Sequence, residues 1–376
     1  MIEAQDFIAV AADRGIGFWA GVPCSFLTPL MNAVISSERT AYVGATSEGE
    51  AVAIAAGAWL AGRKTAVMCQ NSGLGNAINP LTSLNYPFRI PTLIITTWRG
   101  QPGLGDEPQH ELMGQITSEM LDLVEVPNAP FPRQPDGMAQ TLDNALAAME
   151  GTGLPYGLVL EKGTVAQSPL DQPAAPVRAA AMPKGVFRGT LPRRIDVLDM
   201  IRHTAPDDAG LIATTGFCGR ELYTLKDSAS HLYCVGSMGC ASAMGLGAAL
   251  NTDRQIVVLD GDGAALMKLG NMATIGAEHA LNLTHIILDN GLHESTGGQM
   301  TVSAGVDFAT IAAACGYGFA ARADAPDDMA RVLAQALATP GPRLLHFRVG
   351  TSSLKNLARP ALAPQEVARR FKEFLT

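Results

Sequence analysis

The sequence predicts an α/β protein built of two doubly wound parallel-sheet domains, and three observations support this. Strand-like and helix-like segments alternate over residues 1–167, and the alternation begins again at residue 195 and continues to residue 376. The segment between them, residues 168–194, has prolines at positions 169, 173, 176, 183 and 192 and no sustained period. Alternating βα units form parallel sheets, and a proline-rich stretch without periodicity is typical of an extended linker.

In the first domain the predicted strands are GIGFWAG, TAYVGAT, TAVMCQ, PTLIITTW and YGLVLEK, with helix-like segments between them. After PTLIITTW the stretch WRGQPGLGDEPQHELMGQIT is predicted to be a long, glycine-rich loop. In the second domain the predicted strands include GLIATTG, HLYCVGS, QIVVLDGDG, THIILDNG and RLLHFRV. Ligands of open α/β sheets bind at the carboxyl ends of strands, so functional residues are expected directly after these segments.

Composition excludes several classes of protein. The chain is 47% hydrophobic and 16% charged, which provides enough apolar surface for two cores. Its net charge is −8 and it has no run of Lys or Arg, which argues against a nucleic-acid or anionic membrane surface. An anionic ligand must therefore meet cations placed locally.

The cysteines and the N-terminus predict the compartment. Six cysteines, at positions 24, 69, 218, 234, 240 and 315, lack CxxC spacing, which argues against zinc and against a disulfide framework. The N-terminal segment resembles an amphipathic helix and not a signal peptide, and the longest apolar stretches are too short to span a bilayer. A soluble cytoplasmic protein is expected.

The most informative pattern is a pair of strand-end turns in the second domain. Asp262 lies in a Gly261-Asp262-Gly263 turn and Asn290 follows the next predicted strand, one βαβ unit later. Adjacent parallel strands would bring the two side chains together, where a carboxylate, an amide oxygen and a backbone carbonyl can hold a hard divalent cation. A Gly-Asp-Gly turn by itself is more often a strand end that binds no ligand, so the pair carries the prediction.

Seven segments occur in order along the chain, namely GVPCSF, TSEGEAVAIAAGA, QNSGLGNAINPLTSL, DEPQHELMGQIT, GSMG, GDG and DNGLHESTGGQ. Together they resemble the thiamine-diphosphate enzymes and, within them, the phosphonopyruvate and sulfopyruvate decarboxylase family. The resemblance implies a pyrimidine-side domain (1–167) and a diphosphate-side domain (195–376), with thiamine diphosphate and Mg²⁺ as cofactors. It also implies non-oxidative decarboxylation of a 3-substituted pyruvate to CO₂ and an aldehyde.

Within that family, DEPQH followed by GQIT, and the ESTGGQ segment, favour 3-phosphonopyruvate as the substrate. Gly219 and Cys240 are less familiar in the phosphonopyruvate branch, which leaves sulfopyruvate or another 3-substituted pyruvate as the alternative.

The resemblance assigns cofactor-binding roles residue by residue. Asp262, Asn290 and the carbonyl of Leu292 would bind Mg²⁺ and, through it, the diphosphate, with Gly261 and Gly263 beside them. The turn Gly236-Ser237-Met238-Gly239 would hold the thiamine, with Met238 supporting its bent shape; the alternative is close helix–sheet packing by small residues.

Glu48 is implied to be the acid that hydrogen-bonds N1′ of the aminopyrimidine and so activates the cofactor. The alternative is a carboxylate that interacts favourably with a helix N-terminus, and Glu50 is the rival candidate. Asn71 would contact the cofactor, although it and Ser72 could simply cap the following helix.

Four residues are candidates for catalysis beside the cofactor: Ser25, His110, His293 and Glu294. His110 is a proton-transfer candidate because imidazole titrates near neutrality, and its alternative is an exposed loop histidine. Ser295 and Thr296 follow His293 and Glu294 directly, and their alternative role is only that of turn or cap residues.

Five residues are expected near the substrate: Ser25, Arg99, Gln109, His110 and Arg220. The two arginines are included because a guanidinium group matches the geometry of phosphonate oxygens. The alternative is that they are surface residues. In the same loop, Asp106 adds a further charge.

The family resemblance implies at least a homodimer, with each active site formed between two subunits. A dinucleotide-binding oxidoreductase is disfavoured because no G-x-G-x-x-G follows the first strand of either domain. A non-catalytic binding module could share the fold but would not need both Glu48 and the cation pair.

Overall fold

The computed structural model describes residues 1–174, 180–351, 354 and 356–376. The chain divides into two compact units, Met1–Ala174 and Ala175–Thr376. Among the described residues, each unit contains a six-stranded sheet in which neighbouring strands are parallel. These sheets, with their helices, confirm the predicted α/β fold class.

The first unit has the strand order β2-β1-β3-β4-β6-β5, in which the chain reverses its winding direction after β2, as in doubly wound folds. Its strands are β1 (Ile16–Gly21), β2 (Ala41–Gly44), β3 (Lys64–Cys69), β4 (Leu93–Thr97), β5 (Asn128–Pro130) and β6 (Tyr156–Leu160), and its helices are α1 (Ala4–Asp13), α2 (Thr28–Ile35), α3 (Glu48–Leu60), α4 (Leu74–Pro80), α5 (Tyr86–Phe88), α6 (Glu111–Leu123) and α7 (Gly137–Thr152).

The second unit has the order β13-β14-β10-β9-β7-β8, and a short hairpin of β11 and β12 follows β10. Its strands are β7 (Gly210–Ala213), β8 (His231–Tyr233), β9 (Ile256–Gly261), β10 (Leu283–Asp289), β11 (Leu292–His293), β12 (Gln299–Met300), β13 (Phe319–Ala323) and β14 (Arg343–Arg348), and its helices are α8 (Arg194–Thr204), α9 (Phe217–Leu225), α10 (Ala241–Ala249), α11 (Asp262–Met267), α12 (Asn271–Glu278), α13 (Phe308–Ala314), α14 (Pro326–Leu337) and α15 (Pro364–Leu375).

Two helices are buried on nearly every side. Every residue of α10 is buried, and α3 is buried at all positions except Trp59. Both are composed mainly of Ala, Gly and other small residues, which allow a helix to approach a sheet closely. β1 and β10 are likewise buried throughout, as expected of parallel strands covered on both faces. None of the described helices is long and apolar enough to cross a membrane.

The stretch after β4 is only partly a loop, which corrects the prediction of a loop through residue 117. A 3₁₀ turn forms at Pro108–His110, and α6 begins at Glu111. Proline fixes the backbone for the first turn, and the buried residues Gly114, Thr117 and Leu121 recur at helical spacing. Glycine-rich composition masked this helix in the sequence, and the short strands β5 and β13 were also not predicted.

The described parts of the predicted linker contact the unit nearest to them. The backbone carbonyl of Ser168 accepts a hydrogen bond from Asn32 at 2.7 Å. Farther along, Lys184 bridges to Ala321 at the edge of β13, and the amides of Arg188 and Gly189 donate to the carboxylate of Asp324. Residues 175–179, Pro176 among them, lie outside the described residues.

Candidate active site

In the second unit, the two predicted strand-end turns lie side by side. β9 and β10 are neighbours, and their register pairs Gly261 with Leu288, so that Asp262 and Asn290 follow adjacent strand ends. Both residues line a cavity of ≈230 Å³ together with Leu292, His293 and Glu294.

Asp262 is a buried carboxylate without a cationic partner among the described residues. Its residue exposure is 2%, and hydroxyl groups of Thr301 and Ser303 surround it. Burial raises the pKa of Asp262, the neighbouring Asp289 raises it further, and the hydrogen bond from Thr301 opposes these effects. Because an unpaired buried charge is costly, a cation bound here would stabilise the site.

A chain of hydrogen bonds behind Asp262 fixes the hairpin that follows β10. Thr301 donates to Asp262 and contacts Ser303, whose hydroxyl donates to Asp289 at 3.0 Å. His346 Nε2 lies 2.9 Å from the other Asp289 oxygen. Burial by itself would raise the pKa of Asp289, but the interaction with His346 outweighs it and the pKa is lowered.

A second network orients the amide of Asn290. Its Nδ2 donates to Glu294 Oε2 at 3.1 Å, so its oxygen is the end that can act as a ligand. Glu294 Oε2 lies 2.9 Å from Arg194 Nη1, and Arg194 also makes hydrogen bonds of 2.7 and 3.1 Å with both oxygens of Glu221. The side chains of Arg194 and Glu221 are 8% and 0% exposed, so this ion pair is buried.

His293 packs against the Gly-Asp-Gly turn and the Met238 side chain lies beside it. A Cβ on Gly263 would lie 2.7 Å from His293 Cε1 and 3.3 Å from Met238 Cε, so this position has no room for a side chain. The turn before α10 places Ser237 at a φ of 49° and Gly239 at 91°. Asn271, which is 2% exposed, donates to the carbonyl of Gly239 at 3.0 Å and holds this turn.

The strand end of β7 completes the cavity. Thr214, Thr215 and Gly216 line it, and Gly216 precedes α9 with a φ of 99°, a conformation that favours glycine. Its N-cap residue, Gly216, has no side chain with which to cap the helix. Backbone N–H groups at a helix start are suited to anions such as a diphosphate.

In the first unit, Glu48 begins α3 after the N-cap residue Ser47. It is 9% exposed, and its Oε2 accepts a hydrogen bond from Asn76 at 2.8 Å. A Cβ on Gly73 would lie 2.2 Å from Glu48 Oε1, so the absence of a side chain there makes room for the carboxylate. Glu50 instead turns back to accept hydrogen bonds from Thr46, which is a helix-capping arrangement.

Asn71 is fully buried and bound within the first unit. Its Nδ2 donates to the carbonyl of Arg99 at 2.8 Å and to Thr117 at 3.0 Å, and its Oδ1 accepts from Thr97. These contacts join the ends of β3 and β4 to α6. Ser72, which is exposed, accepts a hydrogen bond from Gln70.

The loop after β4 gathers several of the predicted substrate residues. Arg99 forms a bidentate ion pair with Asp106, and its Nη1 is 3.4 Å from Ser25 Oγ. The hydrogen bond from Arg99 holds the pKa of Asp106 well below its usual range. Ser25 and Gln109 are exposed, whereas His110 is 4% exposed and its Nδ1 has no hydrogen-bond partner among the described residues.

Arg220, another predicted substrate residue, lies in α9 of the second unit. Its guanidinium donates to the backbone carbonyls of Leu357 and Ala358. Gly219 and Cys240, the two residues less familiar in the phosphonopyruvate branch, lie at or next to the strand-end turns of this unit.

The described residues contain no cluster of three or more His, Cys, Asp or Glu side chains that could hold a metal. The set of Asp262, Asn290 and the Leu292 carbonyl includes only one such side chain, and it has the mixed oxygen donors that suit Mg²⁺. Asp262, which is buried without a cationic partner among the described residues, therefore fits the Mg²⁺ that the sequence predicts.

Sequence reasoning missed the residues that support the site: Arg194, Glu221, Asn271, Thr301, Ser303 and His346. Each of them contacts a partner that is distant in the sequence; Arg194 and Glu221, for example, are 27 residues apart. The only local signal was Thr301 and Ser303 following the ESTGGQ segment.

Two family models and several known proteins are similar to this chain. Residues 2–122 match the family described as thiamine pyrophosphate enzyme, N-terminal TPP binding domain, and residues 215–347 match its C-terminal TPP binding domain. Phosphonopyruvate decarboxylases of Streptomyces hygroscopicus and Streptomyces viridochromogenes are each 48% identical over 100% of this chain, covering 94% and 96% of their own lengths. Sulfopyruvate decarboxylase of Methanosarcina acetivorans is 31% identical over 99% of this chain and 97% of its own.

A solved structure has the same fold. Benzoylformate decarboxylase from Polynucleobacter necessarius superposes with a TM-score of 0.75 over 95% of this chain and 100% of its own, at 14% identity. At that identity, the likeness is one of fold alone.

Proposed function

Because this chain belongs to the thiamine pyrophosphate enzymes and, within them, to the phosphonopyruvate decarboxylase family, we propose that its substrate is 3-phosphonopyruvate. The chain is a thiamine-diphosphate-dependent decarboxylase. The proposed reaction uses Mg²⁺ and gives CO₂ and phosphonoacetaldehyde. The observation that carries the proposal is a pair of buried carboxylates, Glu48 and Asp262, at strand ends of separate units, neither with a cationic partner among the described residues.

In this proposal Asp262, Asn290 and the Leu292 carbonyl hold Mg²⁺, and Thr215 and Gly216 lie against the diphosphate. Asp262 supplies the negative charge, while Glu294 keeps the amide oxygen of Asn290 available by binding its nitrogen. The cofactor, when bound, supplies the electron sink that makes loss of CO₂ feasible. Gly236, Ser237 and Met238 would support its thiamine part, with Gly261 and Gly263 leaving room for it.

Glu48 would exchange a proton with the aminopyrimidine N1′, and Asn76 orients its carboxylate. Asn71 would support cofactor binding indirectly, by holding the start of the loop after β4 through its hydrogen bond to the carbonyl of Arg99. His110, His293, Glu294 and Ser25 are the proposed groups for proton transfer and orientation. The buried His110 Nδ1, which has no hydrogen-bond partner in the part of the chain that the structure describes, is suited to a ligand atom.

At the substrate end, Arg99, Gln109 and Arg220 are proposed beside Ser25 and His110. Sulfopyruvate is the second candidate substrate, since a sulfopyruvate decarboxylase also matches the chain over nearly its full length. A cytoplasmic location stays a prediction.

The direct test is to add thiamine diphosphate and Mg²⁺ to the purified protein and measure CO₂ and aldehyde released from 3-phosphonopyruvate and from sulfopyruvate. We expect a higher kcat/KM for 3-phosphonopyruvate. A preference for sulfopyruvate would move the assignment to the second candidate, and release of CO₂ from neither would refute both.

Two variants separate the role of Glu48 from a capping role. Glu48→Gln should abolish turnover while the protein still binds thiamine diphosphate with Mg²⁺, measured by calorimetry. Glu50→Gln is the matched control, because Glu50 caps the same helix, and it should lower the melting temperature but keep turnover. Full activity of Glu48→Gln would contradict the activation role.

We also propose that the chain forms a homo-oligomer with active sites shared between subunits. Inactive Glu48→Gln and Asp262→Ala subunits, mixed and refolded, would then regain about a quarter of wild-type activity, since half of random dimers are mixed and each holds one intact site. Sites within single subunits would give no recovery. Light scattering measures the subunit number.

A further inference from the structure

The second unit contains a second cavity beside the one lined by Asp262. It has a volume of ≈410 Å³ and lies between α9 and the segment that leads into α15. It shares Thr215, Gly216, Phe217 and Ser295 with the first cavity, so the two spaces adjoin. Its size suits a small organic ligand.

The charged side chains that line this cavity are all cationic. Arg220 and Arg359 are present and none of the lining residues is Asp or Glu. In a chain with a net charge of −8, a cavity with two guanidinium groups and no carboxylate is a local positive region.

Helix α9 holds the backbone on both sides of Arg359. Arg220 donates to the carbonyls of Leu357 and Ala358, Thr224 Oγ1 accepts from the amide of Ala358 at 3.2 Å, and the hydroxyl of Tyr223 accepts from the amide of Ala361 at 3.2 Å. Three side chains of one helix thus fix a five-residue segment that has no helix or strand of its own.

The arginines differ in what their guanidinium groups already bind. Arg99 is engaged by Asp106, and Arg220 by two backbone carbonyls. Among the residues that the structure describes, none forms a hydrogen bond or ion pair with Arg359, which is exposed at the cavity. Arg359 is therefore the cavity cation with its full binding capacity left for a ligand.

We propose that Arg359, held in place by α9, binds the anionic group on C3 of the substrate, a phosphonate or sulfonate. This inference rests on the proposed function and names the residue that recognises the charged end of the substrate. A guanidinium fork can donate two parallel hydrogen bonds to such a group, and Arg220 adds positive charge beside it.

The test uses 3-phosphonopropionate, an unreactive phosphonate, as the probe and measures its binding by calorimetry to the full-length protein with thiamine diphosphate and Mg²⁺. Arg359→Ala should weaken binding about 10- to 100-fold, the range for a lost hydrogen bond to a charged group. Arg359→Lys should weaken it less, because the charge remains but the fork is lost. The matched control is Arg369→Ala, an exposed arginine of α15 that does not line the cavity.

Substrate kinetics give a second readout. For the anionic substrate that the wild type uses, Arg359→Ala should raise KM, whereas Arg369→Ala should leave KM unchanged. Wild-type affinity of Arg359→Ala for the probe, or no binding of the probe to the wild type, would overturn the inference. If the wild type binds the probe but releases no CO₂ from 3-phosphonopyruvate or sulfopyruvate, the proposed function fails while the anion site stands.

Discussion

Replacing Arg194 by methionine should both destabilise the second unit and weaken cofactor binding. Arg194 lies between two carboxylates, with Glu221 on one side and Glu294 on the other. Among the described residues, removing it leaves Glu221, whose side chain is 0% exposed, as an unpaired buried charge, and leaves Glu294 with Asn290 as its remaining partner. Loss of one member of a buried ion pair costs about 3–5 kcal/mol, so the free energy of unfolding should fall by about that much.

A double variant separates stability from positioning. Arg194→Met with Glu221→Leu replaces the buried pair by apolar side chains, which is often neutral or stabilising, so most of the lost stability should return. Glu294 would still lack its cationic partner, so its hydrogen bond to the amide of Asn290 would be held less firmly. Loss of such a supporting contact typically lowers metal affinity about 10- to 100-fold.

Urea unfolding measures the first effect, and calorimetric titration with Mg²⁺ at fixed thiamine diphosphate measures the second. Arg193→Met is the matched control, because Arg193 pairs with Asp196 at the surface, where a salt bridge contributes less than about 1 kcal/mol. A loss below 1 kcal/mol in Arg194→Met would refute the argument from burial. Wild-type Mg²⁺ affinity in the stable double variant would refute the argument from positioning.

Two further predictions follow from particular contacts. Gly73→Ala should reduce kcat by displacing Glu48, because a Cβ at position 73 would lie 2.2 Å from Glu48 Oε1. Gly75→Ala is the control and should leave kcat unchanged, because a Cβ at position 75 would have no atom within 4 Å. Equal kcat values in the two variants would contradict this. Burial raises the pKa of Glu278 to about 7, whereas the same carboxyl in the unfolded chain has a pKa of about 4.3. Between these two pKa values the folded protein keeps a proton that the unfolded chain has released. The contribution of Glu278 to stability therefore falls as the pH rises from about 4.3 to about 7. Glu278→Gln should therefore melt at a higher temperature than wild type by an amount that grows from pH 5 to pH 8, with the exposed Glu119→Gln as control; a difference independent of pH would contradict the assignment.

The fold class and the juxtaposition of Asp262 with Asn290 could be predicted from the sequence because both depend on local signals. Apolar strands ending in glycine turns mark the strand ends, and a spacing of one βαβ unit places them on adjacent strands, as β9 and β10 are. The helix α6 escaped prediction for the opposite reason, since the glycine-rich segment before it resembles a loop and its buried face, formed by Gly114, Thr117 and Leu121, depends on tertiary packing.

The sequence by itself determined which side chains end the strands, because hydrophobic periodicity and turn residues act over a few positions. It could not determine which charges are left free. Arg99, Arg220 and Arg359 are equivalent cations in the sequence, and only tertiary contacts distinguish them: Asp106 engages Arg99, the carbonyls of residues 357 and 358 engage Arg220, and Arg359 remains unpaired among the described residues. Partners up to 138 residues apart make these contacts, so the folded structure decides which cation can bind a ligand.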